Sequence, residues 1–232
     1  MRAAGTARAR GGGHREREPL TALGQARDDG QARLSAQAPA GSAQVNTVEI
    51  YLARHGETEW SLSGRHTGST DLPLTPRGEE KAAALRPRLA GLKFDAVYAS
   101  PLQRATRTAE LAGFPNPQVT PLLREVEYGD YEGLTSKQIH ETRPTWELYR
   151  DGCPSGETPA EVQARAQEFI ALATKTSGRV LAFSHGHFLR AVGITWIDVD
   201  ISAAGRLYLD VATLSILRND DRGRVLVEWN AS

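Results

Sequence analysis

From residue 48 onward, short apolar runs alternate with longer stretches whose apolar residues fall on one helical face, the pattern of an α/β fold with a largely parallel sheet. Strands are expected at 48–53, 96–99, 180–183, 208–217 and 225–229. Helix starts between them are marked by Thr75 before Pro76 and by Ser100 before Pro101. A third, "TPAE" at 158–161, combines an N-cap threonine, a first-turn proline and a glutamate that closes a capping box. Pro87 is expected to end or kink the first of these helices. The stretch from Asp130 to about Thr176 lacks a strand pattern and reads as a mostly helical insertion over one end of the sheet.

Residues 1–46 do not share this pattern. Ala, Gly, Arg and Gln dominate them, and large apolar residues are too few to build a core, so a disordered N-terminal tail is expected before one folded domain over 47–232. An arginine-rich start is a feature of organellar transit peptides, but Glu16, Glu18, Asp28 and Asp29 argue against that role, and no apolar segment supports secretion. Met1 is the only methionine, which fits a start codon assigned too far upstream, the protein itself beginning near Val45 or Val48.

The length of 232 residues and the 40% hydrophobic content suit one sizeable domain. Basic and acidic residues number 28 each; seven basic and four acidic ones precede residue 47, so the rest carries a net charge of about −3. That balance gives no general reason to expect nucleic acid or an anionic membrane as partner, and any anion site must be local. The single cysteine, Cys153, excludes an intrachain disulfide framework and multi-thiolate metal sites, and it suits a reducing cytoplasm. No apolar run reaches the roughly 18 residues that span a bilayer.

Chemistry concentrates at three strand ends. Arg54, His55 and Gly56 close the first strand, "ASPLQRA" follows the second with Arg104 in the first helical turn, and "SHGH" at 184–187 closes the third. In sheets of this class ligands gather at the carboxyl ends of the strands. Cationic and imidazole groups converging there beside helix N-termini make a pocket for a doubly charged anion, with phosphate the first candidate. Taken singly, each signal is weak; a lone histidine beside a strand is most often a hydrogen-bonded core residue.

The runs "LARHGETEW", "TGSTDLPLTPRGE", "YASPLQRATRTAEL", "LLREVEYGDYEG", "DGCPSGETPAEV" and "FSHGHFLR", in that order over roughly residues 48–230, resemble the histidine phosphatase superfamily on its phosphoglycerate-mutase-like branch. The resemblance implies a three-layer α/β/α fold with a mostly parallel mixed sheet. It implies that His55 is the nucleophile that becomes phosphorylated, that Arg54, Arg104 and His185 clamp the phosphoryl oxygens, and that Glu125 is the general acid, with Glu127 as the competing carboxylate. It implies no cofactor and no metal, since two arginines supply the charge stabilisation that phosphoryl transfer needs. The expected partner is a small-molecule phosphate ester, with no nucleic acid and no membrane, in a cytoplasmic homodimer. Gly56 is expected to let the chain turn sharply and the phosphate approach closely.

True mutases of this branch carry an Arg-His-Tyr-Gly run after the acid, where this chain reads Val126-Glu127-Tyr128-Gly129. A negative Glu127 there is expected to repel glycerate phosphates, which favours a phosphomonoesterase over a phosphoglycerate mutase. A catalytically silent phospho-ligand binding module is the third reading. The motif wording is closest to sedoheptulose bisphosphatase-like members and bacterial acid phosphatases, which makes sugar (bis)phosphates candidate substrates, with Arg190 either reaching a distal phosphate or serving as a surface salt-bridge partner. Gly64, Thr67 and Gly68 resemble a loop near the phosphate, with Thr67 and Gly68 as contacts. His187 is read as an orienting residue, His66 and His140 as surface residues, and Trp146 and Tyr149 as packing residues of the insertion. Cys153 lacks the arginine-bearing loop of a cysteine phosphatase.

Overall fold

The computed structural model describes residues 47–232, so the expectation for the N-terminal tail lies outside the described residues. Six strands form one sheet: β1 (Val48–Arg54), β2 (Ala96–Ala99), β3 (Gln118–Val119), β4 (Gly178–Ser184), β5 (Leu214–Asp220) and β6 (Gly223–Ala231), ordered β3-β2-β4-β1-β5-β6. The first four run parallel, and β5 and β6 add an antiparallel edge. Helices are α1 (Glu59–Ser63), α2 (Pro76–Ala83), α3 (Arg86–Leu89), α4 (Gln103–Leu111), α5 (Ser136–Thr142), α6 (Leu148–Asp151), α7 (Pro159–Thr174) and α8 (Gly186–Trp196).

Alternate residues of the two central strands feed two cores. Ile50, Leu52, Val180 and Ala182 pack with Phe169 of α7 and Leu189 and Val192 of α8, while Tyr51, Ala53, Leu181 and Phe183 pack with Leu85, Leu89 and Ala109 on the other face. Full burial of a side chain such as Phe183 contributes about 1.5–3 kcal/mol. The expected three-layer architecture is therefore observed. Parallel pairing of β1 with β4 sets Arg54 opposite Ser184, so the residues that follow both strands emerge side by side at one rim.

Several elements differ from expectation for identifiable reasons. The run at 208–217 is not one strand: 208–213 crosses the end of β1, where Ala212 N–H donates to His55 O (3.1 Å) and Arg54 N–H to Thr213 O (3.2 Å). Leu209 and Val211 are buried there by packing, and Ala212 has a left-handed φ of 53° that ends any extended run. The two residues of β3 are both exposed and carry no apolar signature. The ring of Pro87 sits four residues past Ala83, where it conflicts with that carbonyl, and α2 indeed ends at Ala83, with Pro87 inside the next short helix. Thr158 caps α7 as its sequence predicts, accepting from Glu161 N–H while Glu161 reaches back. Ser100, by contrast, is not the cap of α4, which starts after Leu102. Residues 130–176 hold helices and no strand.

Candidate active site

His55 follows β1 and is buried among the strand ends. Its Nδ1 lies 2.7 Å from Gly56 O, and a carbonyl can only accept, so Nδ1 carries the proton and Nε2 keeps its lone pair. Burial, then the neighbouring charges of Arg104 and Arg54, hold its pKa well below the usual histidine range, so the ring is neutral. Gly56 is needed for backbone packing: a Cβ there would lie 2.4 Å from Gly78 O. Its φ is not in the left-handed region, so the expected sharp turn is not what the glycine provides.

Arg104 is fully buried and spends most of its donors on the protein. Nε donates to His185 Nδ1 (3.1 Å), Nη1 to Thr70 O (2.9 Å), and Nη2 to Thr67 O (3.0 Å) and Gly68 O (3.1 Å). Arg54 is the opposite case. Its single bond runs from Nη1 to Leu209 O (2.5 Å), and its Nε is buried with no partner among the described residues. Gly186 leaves the room this needs, because a Cβ there would stand 3.1 Å from the Arg54 guanidinium carbon.

His185 has both ring nitrogens engaged: Nδ1 accepts from Arg104, so Nε2 carries the proton and donates to Ser100 Oγ (2.8 Å). Its ring centroid is 5.0 Å from that of His55. Glu125 sits at the N-terminus of α8. Oε1 accepts from Val126 N–H (2.9 Å) and Phe188 N–H (2.8 Å), and Oε2 from His187 N–H (3.0 Å). Two bonds fill Oε1, whereas Oε2 keeps one acceptor site for a proton. Glu127 points elsewhere, exposed and paired with Arg124 at 3.0 Å, so it neither competes with Glu125 nor charges the site as expected.

Other expectations need correction. The Thr67 hydroxyl donates to Arg65 O (3.2 Å), and Gly68 N–H is bound by both oxygens of Glu132 (3.0 and 2.9 Å), so these residues serve the site through their carbonyls, which hold Arg104. Gly64 caps α1 in a left-handed conformation and is exposed. His66 is not a surface residue. It is buried against Tyr128 (centroids 4.7 Å), Trp146 (5.5 Å) and His187 (5.5 Å), and burial next to Arg190 lowers its pKa to about 4. His140 is exposed, with Nε2 3.0 Å from Trp146 O. Trp146 and Tyr149 are packing residues as read, and both also line a cavity of about 490 Å³ with His66, His187, Arg190 and Arg206. His187 orients as read: its Nδ1 lies 2.5 Å from Tyr128 OH and its carbonyl accepts from Tyr149 OH. Arg190 stacks 5.5 Å over Tyr149, donates to Leu207 O (3.1 Å) and faces the cavity. Cys153 is buried, and its thiol is pushed up to about 12. The site roles of Ser100 and Glu132 escaped the sequence reading; Ser100 was read only as a helix start inside "ASPLQRA", and Glu132 gave no signal beyond its place in "DYEG".

The buried imidazoles make the fold acid-sensitive. His55, His66 and His185 have folded-state pKa values below the ordinary 6.5, so as pH falls through 6.5 the unfolded chain takes up protons that the native state refuses. The stability involved is complete above pH 6.5 and lost below it. For His66, held at about 4, the loss between pH 7 and pH 5 is roughly 2 kcal/mol. Tm is expected to fall over that interval, and His66→Phe to flatten the fall; a Tm constant from pH 7 to pH 5 would contradict this account.

A parallel-sheet rim that carries a neutral histidine between a buried and a part-buried arginine, with a carboxyl on an adjacent helix N-terminus, defines an enzyme of phosphate-ester chemistry. A family model for the histidine phosphatase superfamily (branch 1) matches residues 50–232, and the chain belongs to that family. It is a phosphoric monoester hydrolase of small phosphorylated metabolites. It is 43% identical to an acid phosphatase of Mycobacterium tuberculosis over 176 residues, 74% of this chain and 87% of the relative. It is 34% identical to a sedoheptulose 1,7-bisphosphatase of Saccharomyces cerevisiae over 188 residues, 67% of this chain and 69% of the relative. A solved structure of a Mycobacterium tuberculosis open reading frame product superposes with a TM-score of 0.77 at 40% identity, covering 79% of this chain and 97% of that one. Among the described residues no helix is long and apolar enough to cross a membrane.

Proposed function

We propose that the protein hydrolyses phosphomonoesters without a metal, through a phosphohistidine at His55, and that its substrates include sugar phosphates with a second anionic group. The observation that carries the reading is the pairing of His55, its Nε2 lone pair unspent, with Arg54, whose buried Nε–H has no partner. A buried donor without an acceptor costs about 1–3 kcal/mol, which a phosphoryl oxygen would recover. In the first step His55 Nε2 attacks phosphorus, the ester P–O bond breaks, and the departing oxygen takes a proton from Glu125, carried on Oε2. In the second, water attacks the phosphohistidine, its proton goes to Glu125, the N–P bond breaks and phosphate leaves. Arg54 supplies most of the charge-assisted bonds to the equatorial oxygens and Arg104 a smaller share. His185, with both nitrogens engaged, orients Arg104; direct donation to phosphate requires its Nε2 proton to leave Ser100. The buried thiol of Cys153 and the arginine pair support the cytoplasmic, metal-independent part of the reading.

Support for a second anionic group comes from Arg190 and Arg206, which line the cavity together with His187, the residue whose N–H binds Glu125, and have no carboxylate partner among the described residues. The test is phosphate release from sugar monophosphates, sugar bisphosphates, phosphoglycerates and nucleotides in EDTA. EDTA-resistant release is expected, with Arg190→Met lowering kcat/KM for bisphosphates about 10- to 100-fold, the worth of one charge-assisted pair, and for monophosphates far less. Mutase turnover with negligible phosphate release would replace this reading, and equal losses on both sugar classes would remove Arg190 from it.

A further inference from the structure

Glu125 lies in a segment that no strand pairs with. Among the described residues, the carbonyls of Leu122, Arg124 and Glu125 accept no backbone N–H, and that of Leu123 is held by the Ser184 hydroxyl (2.7 Å). The first three belong to one side chain. Arg165, on α7, donates from Nη1 to Leu122 O (3.1 Å) and Arg124 O (2.7 Å) and from Nη2 to Glu125 O (3.3 Å). The same guanidinium is forked onto Glu157, Nε to Oε1 and Nη2 to Oε2, both at 2.8 Å. Glu157 in turn binds Glu127, two residues further along the segment, twice: its Oε2 accepts from Glu127 N–H (2.9 Å) and its N–H donates to Glu127 O (2.8 Å). The pair is largely withdrawn from water, with side-chain exposures of 14% and 15%, so its geometry is not loosened as a surface pair would be.

Arg165 also holds the other half of the carboxyl's cradle. Its guanidinium lies 4.1 Å over the ring of Phe188, the residue whose backbone N–H donates to Glu125 Oε1. One planar group thus fixes both the backbone that carries Glu125 and the helix turn that receives its side chain. Proton transfer is demanding of position: a donor must be held within about 0.5 Å of its productive geometry to be effective.

We infer that Arg165, locked by Glu157, is a positioning residue that sets the proton-donating geometry of Glu125. The inference rests on the assignment of Glu125 as general acid in the proposed function. Lysine at this place can keep the ion pair with Glu157 but cannot span three carbonyls and lie flat on Phe188.

The test uses the dependence of kcat/KM on the leaving group, which covers only the steps up to phosphoryl transfer and so excludes the base role of Glu125 in the second half. An alkyl phosphate needs its leaving oxygen protonated as the bond breaks, whereas p-nitrophenyl phosphate releases a stable anion without help. The alkyl-to-aryl ratio of kcat/KM is compared in the wild type, Glu125→Gln, Arg165→Met and Arg165→Lys. The expected result is a ratio lowered about 100-fold in Glu125→Gln and about 10- to 30-fold in both Arg165 variants. Equal losses on both esters in the Arg165 variants, with Glu125→Gln still selective, would overturn the inference and leave Arg165 a structural residue. An unselective Glu125→Gln would overturn the acid assignment itself. Should Arg165→Met fail to fold, Arg165→Lys gives the same discrimination.

Discussion

Replacing His55 with alanine is expected to lower phosphate release by about 10⁴-fold or more, since without a nucleophile only binding and charge stabilisation remain. The side chain makes one bond, to its neighbour's carbonyl, so its loss should leave the fold and its affinity for phosphate largely in place. Rapid quenching of the wild type during turnover should trap an acid-labile phosphoryl group that the variant lacks. Because burial and two arginines keep the ring neutral, the wild-type rate should persist as pH falls below 6.5, where an ordinary histidine would protonate and lose its lone pair. Residual activity within tenfold of the wild type, or a trapped phosphoryl group on the variant, would end the phosphohistidine mechanism.

The place of His55, the proposed nucleophile, was legible because its signal is local: an apolar strand that stops at Arg54 and His55 places both at a sheet rim, whatever the rest of the chain does. Arg104 and His185 were legible for the same reason. What the sequence did not show is how each is held. Thr67 and Gly68 looked like phosphate contacts because their motif lies near the site, yet they act through carbonyls, which have no side-chain signature. His66 read as a surface residue because a loop histidine is normally solvated; only the packing of Tyr128 and Trp146 around it, from segments distant in sequence, buries it. Arg165 carried no signal in the sequence, because its contacts depend on where an unpaired loop passes. Glu127 misled in the opposite sense: two positions from Glu125 it would share that residue's face in a regular strand, but the segment is not a strand, and the Glu127 carboxylate turns to Arg124 at the surface.

The two arginines of the site are expected to part company when each is changed to methionine. Both variants should lose about 10³-fold in kcat/KM, because each removes a charge-assisted donor from the developing phosphoryl charge. Their stabilities should move in opposite directions. Arg104→Met strips partners from four acceptors, two of them buried (Gly68 O and His185 Nδ1) and two part-buried (Thr67 O and Thr70 O). At about 1–3 kcal/mol for each unsatisfied buried group, it should lower Tm by many degrees. Arg54→Met leaves one acceptor behind, Leu209 O, and removes a part-buried charge whose buried Nε has no partner among the described residues. Burial and the nearby Arg190 already depress the Arg54 pKa against the attraction of Glu125 and Asp210, which means the native site disfavours that charge relative to the unfolded chain. Methionine fills similar space without either cost, so Tm should rise by a few degrees as activity collapses. Calorimetry in phosphate-free buffer checks the signs, and added inorganic phosphate should raise the Tm of the wild type but not of Arg54→Met, since only a site with that donor gains by binding. If Arg54→Met is destabilised like Arg104→Met, the arginine is held by the fold rather than for a ligand, and the unspent Nε–H no longer marks the place where phosphate binds.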